Sequence, residues 1–186
     1  MNWLVFAGFA YVSVALQSGL TPVWTVAGTT PNLLLILAVF VGVSAGRTTV
    51  LWACLVLGLL LDLLPAPLSG QGVVLGPQAV GYLVGGYAVL QLRGMMFRDS
   101  VPSIVLMVLV AGGFAALVEC LIYAFRGLPW LAGEPVAADW TATRQLWRRC
   151  EELIYTAVLS VPVGLVLRST RKVWGFNARP RNERVF

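Results

Sequence analysis

Histidine is absent from this chain of 186 residues, and the first 46 residues contain no Asp, Glu, Lys or Arg. The first absence excludes a Ser-His-Asp or Cys-His nucleophile and a zinc site with histidine ligands. The second excludes an ordinary water-facing surface over that stretch, because a soluble domain carries charge throughout. Charged residues are only 11% of the whole chain, against about 25% in soluble domains. Cysteine is scarce as well. Cys54, Cys120 and Cys150 lie far apart with no CxxC spacing and read as structural thiols, with a Cys120–Cys150 bridge left open. Low-complexity tracts and internal repeats are lacking.

What fills the chain is apolar, at 59% of residues. A spanning helix needs roughly 17–25 apolar residues, and six segments approach this: 3–20, 31–46, 48–64, 76–92, 102–125 and 151–167. The first reads as a helix rather than a cleaved signal peptide, since it has no basic n-region and no small-x-small site after it. The second opens on Pro31, suited to the first helical position, and is short, about 15 residues or roughly 22 Å. Residues 23–26 dipping into the interface, or a locally thinned bilayer, would make up the difference. Pro162 is expected to kink the sixth. The reading is an all-α integral membrane protein: a six-transmembrane-helix bundle forming one domain, 1–170, with a basic tail, 171–186.

Orientation follows from Lys and Arg. With the N-terminus inside, the cytoplasmic side receives Arg47, Arg93, Arg98, Arg168, Arg171, Lys172, Arg179, Arg181 and Arg184, and the outer side Arg126, Arg144, Arg148 and Arg149. Both termini are therefore expected in the cytoplasm. Trp3, Trp24, Trp130, Trp147 and Trp174 fall near predicted interfaces, where an amphipathic ring sits best. The tail is expected to lie on anionic membrane lipids or to meet a cytoplasmic protein. It is too short to suggest nucleic-acid binding.

Charges inside apolar runs are costly in lipid and therefore informative. On this topology Asp62, Glu119, Glu151 and Glu152 all lie toward the outer side, with Arg148 and Arg149 beside them. Together these six residues suggest a polar pocket or partner interface open to the outside, lined by spans three, five and six. Asp62 is also close enough to the surface to reach water or cap a helix, and Arg126 could pair with Glu119 through water. Asp62 and Glu119 are a poor match for an intramembrane aspartyl dyad, which needs two facing carboxylates sharing a proton. Gly42-xxx-Gly46 and Gly81-xxx-Gly85 are small-xxx-small pairs suited to close helix packing. Spans one and two, without charge, read as an apolar packing or docking surface.

Several of these pieces occur in a particular order. Pro31-Asn32-Leu33-Leu34-Leu35 opens span two, a basic turn follows at Arg47, and Gly58-Leu59-Leu60-Leu61-Asp62 closes span three. Tyr82-Leu83-Val84-Gly85-Gly86-Tyr87 then forms the small-residue span four, and Glu119 lies late in span five. This order resembles the rod shape-determining protein MreD family over roughly residues 3 to 170. The departures are local: the family's small-polar Leu-Gly after the aspartate is spread over Pro65 to Gly76, and the loop before span six is rich in Trp.

The resemblance implies a non-enzymatic, multi-pass scaffold in the bacterial cytoplasmic (inner) membrane, part of the cell-elongation complex that supports peptidoglycan synthesis and cell shape. It implies direct association with MreC and, through it, with MreB, a SEDS-type glycosyltransferase and a penicillin-binding transpeptidase. It implies no catalytic residue, cofactor or metal. The family's fold is similar to the substrate-binding S-components of energy-coupling-factor transporters. That similarity supplies the alternative, an S-component-like protein binding a small solute such as a vitamin. Such proteins dock through small residues on their first helix, where this chain offers only Ala15-xxx-Gly19.

Overall fold

The computed structural model describes residues 1–19, 29–64, 76–94, 101–126 and 142–175. These form six helices and, among the described residues, no strand: α1 (Trp3–Gly19), α2 (Leu33–Ser44), α3 (Arg47–Leu63), α4 (Pro77–Leu92), α5 (Val101–Arg126) and α6 (Ala142–Ser169), with a 3-10 turn at Thr170–Lys172. Two of them, spanning Pro102–Phe125 and Leu146–Lys172, are long and apolar enough to cross a membrane. Only 33% and 28% of their most apolar stretches are buried inside the protein. Phe114, Leu117 and Leu121 on α5 and Ile154, Val158 and Leu165 on α6 point outward instead.

The organising element is the shortest helix. All of α2 from Leu33 to Gly42 is buried, and α2 packs against each of the other five helices. A helix that is apolar all round is one surrounded on all sides, and LLLILAVFVG is such a sequence. Around it α3, α4, α5 and α6 pack in chain order, each against the next except for the join from α6 back to α1. Of the two charge-free spans expected to form an apolar packing or docking surface, α2 is packed on all sides and only α1 keeps an exposed apolar face. Leu4, Tyr11, Val12 and Leu16 of α1 are exposed.

A buried helix must satisfy its terminal backbone groups within the protein. At the start of α2, Asn32 rather than Pro31 marks the boundary. Pro31 stands before the cap, and the Asn32 side-chain oxygen accepts from the Leu35 N–H at 3.1 Å. At the far end the Arg93 guanidinium, just beyond α4, donates to the carbonyls of Gly42 at 3.2 Å and Ala45 at 2.6 Å. A cation at a helix C-terminus also suits the helix dipole.

Two further expectations change. The sixth helix starts at Ala142 instead of residue 151, with Pro162 inside it. Trp174 is not an interface anchor: it is completely buried, with Phe9 at 5.0 Å and Phe40 at 5.2 Å between ring centroids. Its indole N–H donates to Thr170 Oγ1 at 3.2 Å, and its carbonyl accepts from the Asn2 N–H at 2.9 Å. Trp174 thus ties the start of the chain and the end of α6 to the closed end of α2. Trp24 and Trp130, and the tail beyond Gly175, lie outside the described residues.

Candidate functional site

The six charged residues singled out in the sequence divide into three groups. Asp62, near the end of α3, is buried and bonded entirely to the start of α4. Its carboxylate accepts from the N–H groups of Gly76 at 2.9 Å, Gln78 at 3.2 Å and Ala79 at 3.2 Å. Neither Gly76 nor Pro77 has a side chain that can cap a helix, so Asp62 supplies the cap from the neighbouring helix. Gly76 adopts φ 122°, a left-handed conformation natural only to glycine. Gly58, one turn before Asp62, permits the approach: a Cβ there would stand 2.8 Å from the Gln78 carbonyl. Asp62 is thus a helix cap, and it is not among the described residues that line the cleft at the start of α2.

Arg148 and Glu151 form the second group. Both are exposed on α6 and lie outside the cleft.

Glu119, Arg149 and Glu152 are the third group, and they converge. Arg149 and Glu152 stand one turn apart on α6, so they share a face, and Arg149 Nη1 donates to Glu152 Oε2 at 2.7 Å. The other arm of the guanidinium, Nη2, binds Oε1 of Glu119 on α5. The partner of Glu119 is therefore Arg149 rather than Arg126, whose side chain lies outside the described residues. Glu119 is the most enclosed, with its side chain 5% exposed against 23% for Arg149 and 22% for Glu152. Gln78 lines the same cleft as Glu119.

This trio lines a cleft of about 340 Å³, open mouth included, bounded by α2, α4, α5 and α6. The cleft lies at the N-terminal end of α2 because that helix is short, with 12 residues against 26 in α5 and 28 in α6. Below the trio an uncharged chain of hydrogen bonds continues inward. Thr156 donates to the Glu152 carbonyl at 2.7 Å and accepts from the Asn32 N–H at 2.9 Å, and the Tyr82 hydroxyl donates to Asn32 Oδ1 at 2.9 Å. Among the described residues, none of span three lines this cleft. Spans two and four, not expected there, contribute Asn32, Gln78 and Tyr82. Part of that was visible in sequence: Arg149, Glu152 and Thr156 recur at helical spacing, and Asn before an apolar run is a cap pattern.

The small-residue pairs separate too. Gly81 and Gly85 lie against the α5 backbone, where a Cβ would stand 3.0 Å from the Ala115 carbonyl oxygen and 2.6 Å from that of Ala111. Gly42 faces Val89, whose Cγ1 would lie 2.9 Å from an added Cβ, whereas Gly46 has open space around it. Cys54, Cys120 and Cys150 are free thiols, with Cys54 buried and Cys150 exposed.

Chemically, the cleft holds two carboxylates against one guanidinium, a surplus of one negative charge when all three are ionised. Among the described residues no three His, Cys, Asp or Glu side chains converge as for a metal ion. Comparison with protein-family models, with curated proteins and with solved structures returns no match.

Proposed function

We propose that this protein is a non-enzymatic membrane scaffold of the bacterial cell-elongation (rod) complex, similar to the MreD family and bound directly to MreC. In this reading all six helices lie in the cytoplasmic membrane and both termini face the cytoplasm. The outward apolar faces of α5 and α6 favour lipid, since the core helix of a soluble protein would be mostly buried.

The observation that carries the reading is where the resembling residues stand. Asn32 caps α2, Asp62 caps α4 across the Gly58 contact, Gly85 meets the α5 backbone, and Glu119 joins α5 to α6. These motifs are joints of the bundle, which supports shared architecture rather than scattered likeness. MreC provides a single membrane helix, and the exposed face of α1 is an apolar surface suited to one.

The test is detergent extraction and affinity recovery of the full-length tagged protein. MreC is expected to co-purify in a defined ratio. Recovery of a vitamin together with an ATPase coupling module, and no MreC, would replace the scaffold with the S-component-like solute binder. The cleft favours that second reading only weakly. Its volume of about 340 Å³ includes the open mouth, and the enclosed part is far smaller than a drug-sized pocket.

A further inference from the structure

We propose that the cleft at the N-terminal end of α2 binds an uncharged carboxamide group, whose oxygen accepts from Asn32 and Arg149 and whose N–H donates to Glu152. The proposal goes beyond the rod-complex reading and does not rest on it.

Two enclosed donors lead there. Asn32 is 7% exposed and lines the cleft. Its backbone N–H is given to Thr156 and its side-chain oxygen accepts from Leu35 and Tyr82, but its amide nitrogen donates to no described residue. Arg149 lines the same cleft, and both its terminal nitrogens are bound to carboxylates. Its Nε is buried without a hydrogen-bond partner. An enclosed donor left unmatched is costly, and two of them in one cleft call for an acceptor. Arg126 and Arg144, whose side chains lie outside the described residues, carry donors only and could serve neither atom.

Charge decides what kind of acceptor. Glu119 and Glu152 are both bound to Arg149, so an incoming carboxylate or phosphate would add a third like charge to an enclosed site. An ammonium has no acceptor to offer and would meet the guanidinium. The acceptor is therefore uncharged. Glu152 adds the opposite need, because Arg149 takes its Oε2 and the other oxygen accepts from no described residue. A group that accepts twice and donates once answers all three atoms. A hydroxyl does so from a single atom and has no advantage over water. A carboxamide carries the two functions on neighbouring atoms and can reach both Asn32 before α2 and Glu152 on α6.

The shape of the cleft agrees. Leu35 and Leu153 line it and pack so tightly on Gly112 that a Cβ there would stand 2.8 Å from Leu35 Cδ2. A flat terminal group fits this narrow end, with the remainder of its molecule at the open mouth. The carboxamide could belong to a free small solute or to an Asn or Gln side chain of a bound polypeptide.

The experiment follows thermal unfolding of the full-length protein in phosphatidylcholine nanodiscs, with millimolar propionamide as the probe. Propionamide is expected to raise the midpoint saturably. N,N-dimethylpropionamide, which cannot donate, propylammonium, which cannot accept, and propionate, which is charged, are expected to leave it unchanged at equal concentration. Asn32→Asp keeps the oxygen that caps α2 and removes the amide nitrogen, so it is expected to weaken the propionamide response about tenfold or more. If that variant does not fold, the contrast among the four probes in the unaltered protein still decides. The same titration in discs cut directly from the membrane, with bound proteins retained, separates the sources. A response there as well as in the purified protein would assign the group to a solute, and a response gained only on purification would assign it to a polypeptide. No response of the purified protein to propionamide would overturn the proposal, as would an equal response to any of the other three probes. Co-purification of MreC is independent of these outcomes.

Discussion

Arg149 holds two carboxylates from two helices with a single planar group, one arm to each. Removing it leaves Glu119 and Glu152 facing each other in an enclosed site. Arg149→Met is therefore expected to destabilise the bundle by about 3–5 kcal/mol, the range for breaking one side of a buried pair. Adding Glu119→Leu to that variant should recover part of the loss, because the stranded charge is gone. Chemical unfolding in detergent measures both, and equal stability of the single and double variants would contradict the pairing. Asp62→Ala removes the acceptor for three backbone N–H groups and should cost about 1–2 kcal/mol, with Asp62→Asn losing less. At this scale charge was easy to read: an ionised residue in an apolar run stands out, and Glu119, Arg149 and Glu152 did. The placement of Asp62 was less legible, since the groups it caps lie 14 to 17 residues on in chain number. Tyr82 and Gln78 were missed because an uncharged polar residue in an apolar segment is too common to signal a contact.

Among the helices, length and contact explain each other. At 1.5 Å per residue the 12 residues of α2 extend about 18 Å, against roughly 39 Å for the 26 of α5. The sequence exposed that shortness but suggested a strained span, when α2 is instead enclosed by its neighbours. Hydropathy alone cannot separate a helix in lipid from one in a core of similar polarity. Glycine spacing was similarly ambiguous: of the two pairs, Gly81 and Gly85 meet a neighbouring backbone, while Gly46 meets nothing. Gly85→Val is expected to push α4 from α5 and cost about 1–3 kcal/mol or more, the usual range for overpacking. Gly8→Ala, with open space at its Cβ, should fall within about 0.5 kcal/mol of the parent. Paired unfolding curves for the two variants test the packing assignment, and equal costs would count against it.

At the scale of the whole molecule, the six helices among the described residues and the boundaries of α1, α3 and α4 could be read to within a few residues, because apolar run length is a global property of composition. The arrangement could not, since nothing local says which helix the other five surround. The closed end of the bundle depends on one ring, and Trp174→Ala is expected to cost about 3–5 kcal/mol. It should also speed proteolysis at both termini, because Asn2 and the end of α6 meet there; unchanged cleavage rates would separate the two ends. The bond from Asn32 to Thr156 joins residues 124 apart, and it concerns time as much as space. The central helix is synthesised well before α6, yet the N–H of its cap residue, Asn32, is satisfied by Thr156 of α6. Until α6 is made, the middle of the protein waits unfinished. A chain halted after Arg126 is expected to be cleared by membrane proteases far faster than one halted after Gly175, and pulse-chase of the two truncations would show whether assembly closes only with α6.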